Sequence, residues 1–295
     1  MQIKWQALQC EHKYDQNLTD EKNGHPLTTE IYYFSGTGNT LHVSEELQKR
    51  LPDSTCIPII GSLKSTPIKT SADTVGIIFP IQAFTLPWIV RRFIQNIDLS
   101  ATSYLFAITT RVCFTKVFSD IDRILAQQKK SLDTCLSYEM PENYIPVFNI
   151  YSPEEIEATE SEMHQKLDQI AGIIQKKERC QPQDPFVWSV VSHTVSPLIT
   201  WYFQKIRFPG MEKAFYADSK CTGCGICEKI CLSDKIRITD GVPEWQDHIK
   251  CIYCFACLHF CPVQAIQIHR RNTQKRGRYH HPQVTADDII KQKEK

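Results

Sequence analysis

Eight of the thirteen cysteines fall into two runs of identical spacing, C-x2-C-x2-C-x3-C, and the chain must fold around whatever those runs bind. The first run is Cys221, Cys224, Cys227 and Cys231. The second is Cys251, Cys254, Cys257 and Cys261, followed by Pro262. Three thiolates at such gaps wrap one side of an iron–sulfur cubane, and a loop so short cannot supply the fourth ligand. With two runs in tandem, the fourth cysteine of each serves the other cluster. The spacing therefore predicts two 4Fe–4S clusters, one on Cys221, Cys224, Cys227 and Cys261, the other on Cys251, Cys254, Cys257 and Cys231. Structural zinc uses two separated C-x2-C knuckles and would leave cysteines of each run idle. Disulfides need an oxidising compartment, and Met1–Glu30 is polar with no apolar export core. Leu232 follows Cys231 where Pro262 follows Cys261. That departure is expected to alter the turn or the hydrogen bonding at the cluster Cys231 serves, without removing a ligand.

The flanking residues resemble a small two-cluster ferredoxin. Phe215–Asp218 reads as a strand entering the first run, and Lys235–Ile238 and Ile266–Ile268 as short alternating strands after each run. Gly223 and Gly225 let backbone amides approach the sulfurs and tune the potential. The two halves form a weak internal repeat of about thirty residues.

A chain of 295 residues is long enough for two domains. A net charge of +1 gives no bulk electrostatic pull toward nucleic acid or membrane. Phe186–Phe203 is the most apolar stretch, but Ser189, Ser192, His193, Thr194, Ser196 and Pro197 make it too polar to span a bilayer. Trp188, Val191, Leu198 and Trp201 are expected to pack a connecting helix pair onto a domain, with weak interfacial membrane contact as the sharper alternative. Cys10, Cys56, Cys113, Cys135 and Cys180 read as free, mostly buried thiols of a reducing cytoplasm.

Residues 30–180 alternate strand and helix. Strands are expected at Glu30–Phe34, Thr55–Ile60, Thr74–Phe79, Tyr104–Ile108 and Cys135–Tyr138, with helices after residue 40, over Trp88–Ile97 and over Lys116–Leu132. The last helix has Ser152 as cap, Pro153 in the first turn and Glu155 three residues after the cap, burying Ile156, Met163, Leu167, Ile170 and Ile174. Five strands alternating with helices imply an α/β doubly wound parallel sheet that binds ligands beyond the carboxyl ends of its strands.

One such end is Ser35-Gly36-Thr37-Gly38-Asn39-Thr40, opening the first helix. Backbone amides at a helix N-terminus favour phosphate, and the hydroxyl and amide side chains add donors without charge. The loop has no lysine, so it is not a nucleoside-triphosphate loop, and it lacks the three-glycine dinucleotide fingerprint. It resembles the FMN phosphate loop of flavodoxins. That resemblance implies ring walls from the loops after the third and fourth strands, where Phe84 and Phe114 are the candidate stackers and Trp88 a reserve. Arg111 is placed to favour a reduced, anionic flavin.

Taken together, Ile31–Thr40, Met140-Pro141-Glu142-Asn143-Tyr144, the two cysteine runs and the ending Gly277–Pro282 resemble a family of flavodoxin–ferredoxin fusion proteins of anaerobes. The resemblance implies residues 1–29 as a flexible extension and 30–180 as a flavodoxin-like FMN domain. A helical linker follows at 181–212, a two-cluster ferredoxin domain at 213–269 and a basic tail at 270–295. Arg270, Arg271, Lys275, Arg276 and Arg278 make that tail a solvated wrap for the ferredoxin module or a docking patch for an acidic redox partner protein, rather than a nucleic-acid site. The expectation is a cytoplasmic electron carrier holding FMN and two 4Fe–4S clusters. No general acid or base constellation is visible to favour a substrate-converting enzyme. A flavin reductase fed by the clusters, and a ferredoxin with a flavin-free docking domain, are the alternatives.

Overall fold

The computed structural model describes residues 8–11, 28–82, 85–110, 117–182, 198 and 201–294. Its main sheet has five strands: β1 (Thr29–Tyr33), β2 (Ser54–Pro58), β3 (Thr74–Pro80), β4 (Tyr104–Thr110) and β5 (Thr134–Tyr138). Their order is β2-β1-β3-β4-β5 and every pairing is parallel. This is the doubly wound flavodoxin-like order. All of β4, and β3 up to Phe79, is buried, as expected of parallel strands covered on both faces. Gly76 in β3 leaves room for the Phe106 ring of β4, whose nearest atom would lie 2.1 Å from an added Cβ.

Helices α1 (Asn39–Arg50), α2 (Trp88–Asn96), α3 (Val117–Leu125) and α4 (Pro153–Gln175) flank the sheet. The α4 start carries the expected capping box. Glu155 N donates to Ser152 Oγ at 3.3 Å, and Ser152 N donates to Glu155 Oε2 at 2.8 Å. Met163, Leu167, Ile170 and Ile174 are buried, whereas Ile156 is only half-buried. The third helix stops well short of Leu132: a 3-10 turn over Ala126–Gln128 ends at Lys129 with φ 57°. The strand order reverses between β1 and β3, so the loops leaving these two strands open the crevice where such sheets take ligands.

In the C-terminal module, Phe215–Ala217 pairs antiparallel with Ile266–Ile268, and Ile236–Thr239 with Val242–Trp245. Asp240 and Gly241 turn that hairpin with φ of 50° and 77°, the handedness an Asp-Gly turn supplies. The two modules share a core. Ile230, Leu232, Ile252, Ala256 and Phe260 belong to the same apolar cluster as the main sheet, together with Val284 and Ile289 of the tail.

Three expectations change. Within residues 1–29, Leu8–Glu11 forms a strand paired antiparallel with Arg179–Pro182. Cys180 is disulfide-bonded rather than a free thiol, and the register sets Cys10 opposite it; Cys56 and Cys135 are free, and Cys113 lies outside the described residues. Leu198 and Trp201 do not pack inward but are 69% and 53% exposed; Trp188 and Val191 lie outside the described residues. Among the described residues no helix is long and apolar enough to cross a membrane.

Candidate functional site

The loop leaving β1 is buried: Ser35, Thr37, Asn39 and Thr40 are each at most 6% exposed. Ser35 Oγ accepts from Gly38 N at 3.2 Å, and Thr37 Oγ1 accepts from Asn143 Nδ2 at 2.6 Å. Because these hydroxyls accept, each keeps a proton to donate. The backbone N–H groups of Gly36, Thr37, Asn39 and Thr40 have no partner among the described residues. The loop is thus a donor-rich cradle without a cation at a helix N-terminus, the chemistry that suits a phosphate.

Neither glycine of the loop faces open space. A Cβ on Gly36 would lie 2.1 Å from the Cys254 carbonyl oxygen. A Cβ on Gly38, whose φ is 99°, would lie 2.8 Å from both His281 and Val284. The 35–40 loop is therefore pressed between the second cysteine run and the C-terminal tail, and any residue larger than glycine would separate them.

A cavity of about 230 Å³ opens beside the loop. Ser35, Gly36, Thr37, Asn39 and Thr40 form one wall, Pro80–Gln82 and Met140–Tyr144 line its sides, and Phe208, Tyr253, Cys254 and Phe255 face the loop. Asn39 ties the Met140–Tyr144 segment to the loop, its Nδ2 donating to Pro141 O at 3.0 Å. Glu142 is the acid in this lining. Burial raises its carboxyl pKa, against the lowering effect of the N–H groups of Tyr144 and Asn143 that it accepts. Phe84, Arg111 and Phe114 lie outside the described residues. Trp88 is not a ring-stacker: its indole Nε1 donates to Cys251 O at 3.1 Å, and Lys250 Nζ sits 4.9 Å from its ring centroid.

Cys221, Cys224, Cys227 and Cys261 converge on a second, small cavity, whereas Cys231 sits with Cys251, Cys254 and Cys257 close enough to raise their pKa values electrostatically. Burial is the larger cause and pushes Cys254 up to about 12 and Cys227 up to about 11. In the metal-free chain these groups are thiols at neutral pH, and metal assembly must displace their protons. Zinc–sulfur bonds of about 2.3 Å would bring four sulfurs to within about 4 Å of one another. Among the described residues no three cysteines have their sulfurs within 4.8 Å of one another. The Leu232 backbone N–H stabilises the Cys254 thiolate, which proline could not do.

The tail is held onto both modules, while Arg270 and Lys275 stay exposed. Arg278 donates to Ile266 O at 2.9 Å and Thr273 O at 2.7 Å, after which the chain crosses onto the flavodoxin-like domain. His281 N donates to Thr37 O at 2.8 Å, and Tyr279 Oη donates to Asn39 Oδ1 at 2.7 Å. Gln292, fully buried, accepts from Ser35 N at 3.0 Å and donates to Ser35 O at 2.9 Å. His259 is held neutral by its contacts: Nδ1 accepts from Tyr279 N at 3.1 Å while Nε2 donates to Asn143 O at 2.8 Å. Burial lowers its pKa to about 3.

Glu160 of α4 lies between His42 of α1 and His281 of the tail, at 2.6 and 3.2 Å. The two imidazoles stack 3.9 Å apart within 20°, so their nitrogens address the two carboxylate oxygens side by side instead of converging on one ion. Gln283 N donates to His281 Nδ1 at 3.3 Å, which assigns the proton to Nε2 and makes the contact a hydrogen bond. Burial pushes the Glu160 carboxyl up, but the hydrogen bonds from His281 and His42 outweigh it and hold it well below the carboxylate range.

The sequence read the loop and the cysteines but not their common neighbours. Gln82, Tyr253, Phe255, His259 and Gln292 carry no motif, and the ending that holds Tyr279 and His281 was matched by resemblance without a role for either. Thr285-Ala286-Asp287-Asp288 is a legible helix start, and it does cap the final helix, Ala286–Lys291.

Residues 220–266 match the family described as a 4Fe-4S dicluster domain. A stretch of 48 residues is 44% identical to a component of the ion-translocating oxidoreductase complex of Methanosarcina acetivorans; it is 16% of this chain and covers 18% of that protein's length. Among solved structures, one described as a flavoprotein from Bacteroides uniformis is 16% identical, covering 38% of this chain and 90% of its own, with a TM-score of 0.29. A flavodoxin from the domain Archaea is 8% identical, covering 49% of this chain and 99% of its own, with a TM-score of 0.30. The fold rests on the strand order of the sheet itself. A flavodoxin-like domain followed by a 4Fe–4S dicluster domain is consistent with a flavodoxin–ferredoxin fusion. The dicluster match supports an iron–sulfur protein.

Proposed function

We propose that this chain relays electrons between one FMN and two 4Fe–4S clusters, as a carrier or adaptor for a redox partner protein. One observation carries the reading: the donor-rich loop and Cys254 of the second cysteine run line the same cavity. In this reading Ser35, Gly36, Thr37, Gly38, Asn39 and Thr40 hold the FMN phosphate through N–H and O–H donors. The ring occupies the apolar part of the cavity, between Met140–Tyr144 and the Tyr253–Phe255 segment, and Phe84, Arg111 and Phe114 remain its proposed contacts on the strength of the sequence. Two clusters are held by Cys221, Cys224, Cys227 and Cys261 and by Cys251, Cys254, Cys257 and Cys231. FMN supplies exchange between two-electron and one-electron chemistry, which clusters alone do not. A redox partner of the kind found in electron-transport complexes is in keeping with the likeness of the cysteine region to a component of an ion-translocating oxidoreductase complex.

The test is anaerobic purification with iron, sulfide and FMN counted per chain. About eight irons and one FMN are expected. A full iron complement with no flavin, even after incubation with FMN, overturns the relay and leaves a ferredoxin with a docking domain.

A further inference from the structure

The proposed relay treats the two clusters alike, but their surroundings do not. We infer that the cluster on Cys251, Cys254, Cys257 and Cys231 exchanges electrons with the flavin, and the cluster on Cys221, Cys224, Cys227 and Cys261 exchanges them with the outside partner. This rests on the flavin and cluster assignments proposed above.

Among the eight cysteines, Cys254 lines the large cavity. The backbone around it is held by the flavodoxin-like domain. Gln82 Nε2 donates to Ile252 O at 3.0 Å and Tyr253 O at 3.1 Å, and Trp88 Nε1 donates to Cys251 O. Gly36 packs against the Cys254 carbonyl so closely that no side chain fits between them. Cys231, the fourth cysteine of this group, is flanked by Ile230 and Leu232, which are at most 4% exposed in the core shared with the sheet. This group is thus packed against the flavodoxin-like domain, with Cys254 directly beside the 35–40 loop.

The other group faces away. Cys224 is exposed, as are its neighbours Thr222 and Lys220, and Pro262 beside Cys261. Among the described residues, the hydrogen bonds of residues 218–229 stay inside the C-terminal module, running to Ala265, Gln267 and Arg237 or within the segment. Gly223 abuts Gly241 of the surface hairpin rather than the sheet domain. The two groups meet where the short helices Ile226–Lys229 and Ala256–His259, which carry Cys227 and Cys257, contact each other. The path thus runs from the cavity through Cys254, across Cys257 and Cys227, to Cys224 at the surface. Electron count closes with one electron per cluster, matching the two electrons of an anionic reduced flavin whose N5 proton passes to solvent; the reverse direction needs both clusters reduced and one proton taken up.

The experiment uses the full chain loaded with FMN and iron–sulfur clusters. A dysprosium chelate in solution speeds electron-spin relaxation of a reduced cluster only when it can approach closely. Relaxation is expected to change for one cluster and not the other. Cys224→Ser should alter or remove the dysprosium-sensitive signal, and Cys254→Ser the insensitive one. Freeze-quenching after photoreduction of the flavin should show cluster reduction retained in Cys224→Ser and lost in Cys254→Ser. Equal dysprosium sensitivity of both clusters, or the opposite variant pattern, overturns the assignment. A wild-type chain that binds clusters but no flavin instead defeats the underlying relay, while the dysprosium result still reports which cluster is exposed.

Discussion

Gln292 reads the backbone of the phosphate loop as a neighbouring strand would, and Gln292→Ala removes that reading. The side chain accepts from Ser35 N and donates to Ser35 O across 257 residues of sequence. Both Ser35 groups are buried at the end of β1, and a third bond links Gln292 Nε2 to Ile289 O at 3.4 Å. Truncation to alanine strands one buried donor and one buried acceptor at about 1–3 kcal/mol each, so the tail should lose about 2–6 kcal/mol of docking free energy. Water entering the vacated space would bring the loss toward the lower figure. Gln292→Glu keeps an acceptor for Ser35 N but sets a carboxylate against Ser35 O, and should destabilise at least as much. Hydrogen exchange of residues 278–294 and of the 35–40 loop, read with urea denaturation, measures the effect directly. Both segments should lose protection together, and FMN affinity should fall with them. A denaturation free energy unchanged to within about 0.5 kcal/mol, the range of an ordinary surface substitution, with the tail still protected, would refute the reasoning.

Acid should release the same clasp. His259 has its pKa lowered by burial to about 3, so the unfolded chain takes up the proton first and stability falls as pH drops from about 6.5 toward 3. Its surroundings, Asn143 O, Tyr279 N, Arg278 and His280, include no acid to reverse that sign. His281, lowered chiefly by burial, acts in the same direction. Glu160, lowered by His281 and His42 and with His164 beside it, contributes above the ordinary carboxylate range and loses that contribution only in stronger acid. Moving from pH 7.5 to 5.5 should cost about 1 kcal/mol and speed tail proteolysis; stability flat across that interval would refute the sign. Leu232→Pro removes the N–H that stabilises the Cys254 sulfur, so the potential of the cluster it serves should fall while the other holds still; redox titration followed by electron paramagnetic resonance reads both, and equal shifts would contradict it. Lys235→Met removes a buried ammonium held by Glu212 Oε1 at 2.8 Å and by the carbonyls of Gln246 and Ile249. Glu212 in turn accepts from Cys251 N and the Tyr253 hydroxyl. The substitution should destabilise by about 3 kcal/mol, the low end for breaking a buried pair because Glu212 keeps some solvent contact; a thermal midpoint equal to wild type would refute it.

The alternation of apolar runs with amphipathic stretches was enough to read the sheet, because strands covered on both faces must be nearly all apolar. β3 and β4 are buried almost throughout. The cysteine spacing was equally legible, because ligand geometry leaves few alternatives. The shortened third helix was not, since the break at Lys129 needs a left-handed residue that no glycine announces. Val242–Trp245 was missed because Pro243 argues against a strand and is tolerated only in a two-stranded ribbon with an open edge. The tail misled for a different reason. Its arginines suggested solvent, yet Arg278 spends its guanidinium on buried carbonyls and the apolar residues beyond it pack onto a distant domain. Contacts spanning more than two hundred residues leave no local period to read.

The loop glycines show how a site can be legible for an incomplete reason. Gly36 and Gly38 read as room for a phosphate, and the free N–H groups around them fit that use. Their Cα atoms, however, face protein: Gly36 the Cys254 carbonyl, Gly38 the tail at His281 and Val284. In the proposed function phosphate binding accounts for the loop's free donors, and packing against the iron–sulfur module for its missing side chains. The two demands separate in one variant. Gly36→Ala places a Cβ where the Cys254 carbonyl now lies, so the second cysteine run must move outward by an ångström or so if contact is to return to an ordinary distance, while the loop's own N–H groups stay in place. Flavin should still bind, and cluster reduction from it should slow. Loss of flavin with unchanged cluster contact would mean that the glycine serves the phosphate after all.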